Sequence, residues 1–171
     1  MGIIMNKNVR VFLFLLVLLF SGVLMGSDRP YIEDEGETAS NIADEIIRFH
    51  VIANSDSKED QDLKLKVKDG LVKEMAPYLS EARSIAEARD ILFSNLNKME
   101  ELAQTIIIQS GYDYTVKASL GHKNFPIKVY GDYSFPSGIY EALSITIGDG
   151  QGKNWWCVMF PPLCFVDETY C

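Results

Sequence analysis

The feature that most constrains this chain is a change of periodicity at Gly111. Before it, apolar residues recur at helical spacing; after it, aromatic and β-branched residues crowd between glycines. Ser57 with Asp60 three residues on is a variant capping box. Leu63, Val67, Leu71 and Met75 then return every four residues, while Lys64, Lys66, Lys68, Asp69 and Lys73 mostly take the wet side, so a helix is expected from there to about Pro77. Ser84 with Glu87 is a regular capping box. Behind it Ile85, Ala88, Leu92, Leu96, Met99, Ala103 and Ile106 keep a helical period for about six turns, until Gly111 stands at a C-cap position.

Residues 112–171 hold 12 of the 19 aromatics, and 111–152 hold 7 of the 12 glycines, a composition of strands and turns. Strands are expected at about 112–120, 125–133, 139–147 and 155–160. Gly121-His122, Phe135-Pro136-Ser137-Gly138 and Gly148-Asp149-Gly150-Gln151-Gly152 separate them. Upstream, residues 46–53 form a β-branched and aromatic run that stops at Asn54-Ser55-Asp56-Ser57, the pattern of a first strand and its turn. The predicted fold is one α+β domain, with two main helices packed on a mostly antiparallel sheet.

The N-terminus has a different character. Lys7 and Arg10 precede an apolar run, Val11 to Phe20, that resumes after Ser21-Gly22 through Val23, Leu24 and Met25 to Gly26. At ~1.5 Å per residue it makes a helix of about 22 Å, short for a hydrocarbon core of ~30 Å. A cleaved signal peptide is therefore expected over a permanent signal anchor. No cysteine follows the run, so a lipoprotein anchor is not supported. Residues 1–26 read as the export segment, 27–45 as an acidic linker, and 46–171 as the working domain, with membrane contact through the N-terminal segment only.

The chain carries 16 Lys and Arg against 24 Asp and Glu, a net charge of -8. Removing residues 1–26 takes away two cations and no acid, leaving 14 positive and 24 negative charges, or -10. Nucleic acid is an unsuitable partner for such a surface, because phosphate backbones need clustered cations.

Motifs for chemistry are sparse. Gly148-Asp149-Gly150-Gln151-Gly152-Lys153 invites a phosphate-loop reading. Its first glycine is one position too close to the Gly-Lys pair, Asn154 replaces the hydroxyl residue, and a strand follows where a helix must begin. A hairpin loop explains it better. His50 and His122 with three cysteines lack paired-ligand spacing for zinc, no other cofactor is implied, and no Asp-Thr-Gly or Asp-Ser-Gly of an aspartic protease is present. A cysteine-dependent hydrolase using Cys157 or Cys164 with His50 or His122 is the enzymatic alternative. Asn54, Ser55 and Asp56 belong to the densest polar cluster; strand ending and helix capping account for its residue types, and a binding role is the second reading.

Cys157 and Cys164 bracket Val158-Met159-Phe160-Pro161-Pro162-Leu163. Fully extended, that segment spans ~23 Å, but a reversal at Pro161-Pro162 brings the two cysteines together. In an oxidising compartment a Cys157–Cys164 disulfide is expected, with Cys171 left over. Alternation sends Trp155 and Trp156 to opposite faces of their strand. One reading exposes an indole beside Met159, Phe160 and Leu163 as an anchor for a protein partner; the other packs both between helix and sheet.

Two sets of residues carry a resemblance to a known family. Phe49-His50-Val51-Ile52-Ala53-Asn54-Ser55-Asp56-Ser57, Glu59-Asp60-Gln61 and Leu63-Lys64-Leu65-Lys66-Val67-Lys68-Asp69 form the first. The second runs from Phe125-Pro126 through Tyr130-Gly131, Pro136-Ser137-Gly138-Ile139-Tyr140-Glu141-Ala142-Leu143 and Ile147-Gly148 to Asn154-Trp155-Trp156-Cys157-Val158-Met159-Phe160-Pro161-Pro162-Leu163-Cys164. Over about residues 46–167 the chain resembles the stage II sporulation protein R family, and the tryptophan–cysteine block is the most specific part. The resemblance implies a protein made in the forespore and exported to the space between the two sporulation membranes. There it would activate the membrane-embedded aspartic protease that processes pro-sigma-E. No catalytic residues come with the resemblance. An exported acidic domain with an aromatic anchor and no strong catalytic motif fits a protein ligand better than an enzyme, so a binding activator is expected, with a contact surface that includes Trp155 or Trp156 and Asn54, Ser55 and Asp56 of the turn.

Overall fold

The computed structural model describes residues 42–130 and 133–165. The export segment, most of the acidic linker and Cys171 lie outside the described residues. The elements are β1 (Ile47–Ile52), α1 (Lys58–Ser80), α2 (Ile85–Ser94), α3 (Leu96–Gln109), β2 (Val116–Phe125), β3 (Lys128–Tyr130), β4 (Tyr133–Phe135), β5 (Gly138–Ile147) and β6 (Asn154–Phe160), followed by a 3-10 turn, Leu163–Phe165. Among the described residues the protein is α+β, with these three helices and a mostly antiparallel sheet.

The four-stranded sheet has the order β2-β5-β1-β6. β1 lies inside it, parallel to β5 and antiparallel to β6. β2 closes one edge, antiparallel to β5 over ten residue pairs. β3 and β4 form a separate two-stranded hairpin. Strand alternation divides the side chains between two cores. Ile47, Phe49 and Val51 of β1 join Leu143, Ile145 and Ile147 of β5 and Cys157 and Met159 of β6 on the helix face. Leu63, Val67, Leu71 and Met75 of α1, Leu92 of α2 and Met99, Ala103 and Ile107 of α3 cover them. Burying each of the larger apolar side chains contributes roughly 1.5–3 kcal/mol. On the far face, Ile46, Phe125, Tyr130, Phe135, Tyr140, Ala142 and Val158 form a second cluster, against which Ile42 and Ala43 also pack. The packed part of the domain therefore begins a few residues inside the expected linker.

Both serine caps form, Ser57 Oγ accepting from the Asp60 amide and Ser84 Oγ from the Glu87 amide, but the boxes do not close: the Asp60 carboxyl accepts from Asn54 and Ser55, and that of Glu87 from the Arg83 amide. Gly111, at φ 88°, ends α3 in the left-handed conformation, and the Tyr112 amide returns to the Ile107 carbonyl as in a Schellman closure. Three expectations are corrected. The long second helix is two, because Asn95 (φ -103°, ψ 7°) leaves the helical region and its Nδ2 donates to the Ile91 carbonyl. The apolar period runs unbroken through the joint because α2 and α3 cover the same core. Pro77 lies inside α1, where buried Leu79 keeps the helix going to Ser80. The second strand starts later and runs through Gly121-His122, whereas the expected 125–133 strand is interrupted after Phe125 by Pro126, which has no amide to donate.

Candidate functional site

The far face of the sheet holds an unusual set of polar groups. Arg48 and His50 point away from the helices, between Ile47, Phe49 and Val51, yet both are buried because the hairpin and Trp156 cover this face. Arg48 is 0% exposed. Its guanidinium carbon lies 4.3 Å from the ring centre of Phe125, 4.9 Å from Tyr140 and 5.6 Å from Phe135. Nη2 donates to the Tyr130 hydroxyl at 3.2 Å, while Nε and Nη1 have no hydrogen-bond partner among the described residues. Tyr140 donates its hydroxyl to the Pro136 carbonyl at 2.7 Å, and burial raises its pKa against the opposing pull of Arg48.

His50 stacks on Trp156 with ring centres 5.1 Å apart and shares a hydrogen bond through Nε2 with Ser144 Oγ. Burial first, then the charges of Lys123 and Arg48, lower its pKa to about 4. The imidazole is therefore neutral at physiological pH. A serine beside a neutral histidine has the first two parts of a nucleophilic relay, but among the described residues Nδ1 has no partner to orient it, and His50 and Ser144 are only 5% and 3% exposed. As placed, the pair is a buried polar contact joining β1 to β5.

The Asn54–Ser57 turn is tied to the β5–β6 loop. Asn54 Nδ2 and Ser55 Oγ donate to Asp60 Oδ2 at 2.9 and 2.6 Å. Asn54 Oδ1 accepts from the Asp149 amide and Asp56 Oδ1 from the Lys153 amide. Gln61 Nε2 donates to the Ser55 carbonyl and Lys64 Nζ to the Lys153 carbonyl. A Cβ on Gly152 would collide with the Ser55 carbonyl, and one on Gly148 with the Asn54 side chain. The glycine-spaced loop is thus a clasp whose backbone must approach the first turn closely. For Asp60, burial acts to raise the pKa, but hydrogen bonds from Ser55, Asn54 and Tyr114 outweigh it and hold the carboxyl below its ordinary value. Burial lowers the pKa of Lys64.

Cys157 and Cys164 form a disulfide, with Cα atoms 5.8 Å apart. Cys157 belongs to the helix-side core and His50 to the far face, so the sheet separates the residues of the hydrolase reading, and His122 is exposed on edge strand β2. Trp155 packs edge-on to Phe49 on the helix face under Lys68, whereas Trp156 sits against Phe125 and His50 opposite. Both indoles are half-buried. Register places Asn154 opposite Ile52 and Trp155 opposite Val51, so the tryptophan strand begins at the same end of the sheet as Asn54, Ser55 and Asp56. Among the described residues no group of three or more His, Cys, Asp or Glu is placed to hold a metal ion, and no helix is long and apolar enough to cross a membrane. The sequence did not single out Arg48 and Ser144, because their burial depends on the pairing of β1 with β5 and on a hairpin some eighty residues from Arg48.

The sequence model of stage II sporulation protein R matches residues 43–170. The chain belongs to the stage II sporulation protein R family. A relative called stage II sporulation protein R, from Bacillus subtilis (strain 168), is 38% identical over 167 residues, covering 95% of this chain and 73% of the relative. No solved structure matches. Membership of the stage II sporulation protein R family gives the chain a role in sporulation, and the matched segment includes all the helices and strands described above.

Proposed function

We propose that this chain is an exported sporulation signal that works by binding. Made in the forespore, it enters the space between the two sporulation membranes and activates the membrane-embedded aspartic protease that processes pro-sigma-E. The observation that carries this reading is the exposed apolar surface on and beside the β3–β4 hairpin. Ile127 and Val129, which alternate to one side, are 63% and 65% exposed, and Tyr133, paired in register with buried Tyr130, is 63% exposed. Large apolar side chains gathered in this way favour burial against a partner. The surface continues to Trp156, whose ring lies 5.7 Å from Lys128 Nζ. Trp155, Asn54, Ser55 and Asp56 contribute less, since Trp155 lies on the opposite, helix-covered face of the sheet and the turn is engaged in the clasp. A cysteine-dependent hydrolase needs a free thiolate, and the disulfide consumes both cysteines named for it.

To activate, the ligand must bind the protease's active state more tightly than its inactive one. The test is reconstitution of the full chain with the protease in vesicles, reading association and pro-sigma-E cleavage. Val129→Asp with Tyr133→Asp is expected to abolish both at an unchanged melting temperature. Full association and cleavage by that double variant would overturn the reading.

A further inference from the structure

β2 is the open edge of the four-stranded sheet. It runs for ten residues, Val116–Phe125, and among the described residues it pairs on one side only, with β5. The opposite edge, β6, is shorter and is followed at once by the 3-10 turn that the Cys157–Cys164 disulfide ties to it.

Two contacts show which backbone groups of β2 face outward. The Gly148 amide donates to the Thr115 carbonyl at 2.8 Å, so the ladder to β5 runs through the odd-numbered residues. The Ala118 amide leaves the ladder and donates to Glu100 Oε2 of α3 at 2.7 Å. Hydrogen bonding alternates along an antiparallel strand, so the amides and carbonyls of Leu120, His122 and Asn124 also point away from β5. Among the described residues, none of these groups has a hydrogen-bond partner. The far face beside them is open as well, since a Cβ on Gly121 would meet nothing within 4 Å.

Charge selects the occupant of this edge. β2 carries Lys117 and Lys123, both exposed, and no acid, in a chain of net charge -8. Among the described residues neither lysine has an ion-pair partner: Glu141, opposite His122 on β5, is engaged by Arg89, and Glu100 by the Ala118 amide. A second copy is a poor occupant, because every two-fold pairing of β2 with itself sets lysines against lysines or neutral residues. The same lysines favour a strand that brings acids, since opposite charges facing each other across a strand pair are stabilising.

We propose that the 120–124 edge of β2 is a strand-addition site for an extended acidic segment of a protein partner. The Glu100 cap on Ala118 closes the site at one end, and Pro126, which has no amide to donate, closes it at the other. Main-chain hydrogen bonds to Leu120, His122 and Asn124 hold the added strand, and a carboxylate beside Lys123 on the far face selects it. That the segment belongs to the protease rests on the binding role proposed above; the chemistry of the edge does not.

The experiment follows amide hydrogen exchange of β2 in the full chain by NMR. The probes are a capped hexapeptide of alternating valine and glutamate, its lysine counterpart, and the glutamate peptide with every amide N-methylated. The free chain is expected to exchange the Leu120, His122 and Asn124 amides rapidly. The glutamate peptide should slow these three at least tenfold and leave Gly121 and Lys123, already in the ladder, unchanged, with the other two peptides inert. His122→Pro removes one outward amide and no ladder bond, and should weaken binding at least tenfold, whereas His122→Thr should not. Lys117→Glu with Lys123→Glu should exchange the preference for the lysine peptide. No protection, equal protection by the lysine or N-methylated peptide, or undiminished binding by a folded His122→Pro would overturn the proposal. Slow exchange of the three amides in the free chain, or a dimer of the parent that His122→Pro dissociates, would put this chain itself on the edge and overturn it too. In the protease reconstitution, His122→Pro should lose association at least tenfold. If it associates like the parent, the proposal falls and the binding role stands. If the parent fails to associate while the glutamate peptide still protects β2, the binding role falls and the strand-addition site stands.

Discussion

His50 and Ser144, 94 residues apart in the chain, share a hydrogen bond on the covered far face of the sheet. The parallel pairing of β1 with β5 sets them directly opposite each other. Arg48 and Lys123 supply the nearby charge, and Trp156 and Phe125 supply apolar cover.

This site is expected to make the fold acid-sensitive. The folded histidine has a pKa of about 4 against an ordinary 6.5. Between those values the unfolded chain binds a proton there that the folded chain does not. The histidine's contribution to stability is therefore complete above pH 6.5 and is lost as pH falls toward 4. The urea midpoint should fall through that window, and less steeply in His50→Gln; equal slopes would assign the acid response to other groups.

The clasp predicts a large difference between two glycines. Gly152→Ala must push a methyl group into the Ser55 carbonyl and should cost about 2 kcal/mol or more, because backbone on both sides resists. Gly121, where a Cβ meets nothing within 4 Å, should accept alanine within about 0.5 kcal/mol. Urea unfolding of the two variants decides the matter.

Removing the disulfide as Cys157→Ala with Cys164→Ala should cost about 2–3 kcal/mol, the range for closing a short loop. Thermal melting under oxidising conditions measures the loss. Alkylation of the folded parent before reduction should leave both sulfurs unmodified, and labelling of either would contradict the bond.

Asp60 and Arg89 separate buried from exposed polar contacts. Asp60→Ala removes a buried carboxylate and leaves the Asn54 and Ser55 donors unpaired in a half-buried turn, and should cost about 1–3 kcal/mol. Arg89 makes a two-pronged contact with Glu141 at 2.8 Å, but it is exposed, so Arg89→Ala should cost less than about 1 kcal/mol. Paired unfolding curves test the ranking.

Local chemistry made much of this fold legible from the residues. Ser57, Ser84 and Gly111 marked helix ends because capping is decided within a few residues. Cys157 and Cys164 could be paired because the intervening prolines limit where the segment can go. Long-range packing was not legible in the same way. Asn95 breaks a helix without breaking the apolar period, and Gly121 looked like a turn but lies in an extended strand paired to Ala142. Arg48 and His50 stand in a strand whose local sequence does not announce that a hairpin eighty residues later will cover them. The polar turn at Asn54 was visible as a cluster, but its engagement with Gly148 and Gly152 depends on a contact across nearly the whole domain.

The interior position of β1 also sets an order of events. β1 is synthesised before every other strand, yet both its edges wait for β5 and β6 at the opposite end of the domain. The three helices can close from near neighbours, whereas these pairings must meet a long loop-closure cost before any ladder bond repays it. The pairing of β1 is thus completed only once β6 has been made, and a copy cut short before Asn154 leaves one edge of an interior strand without its ladder partner.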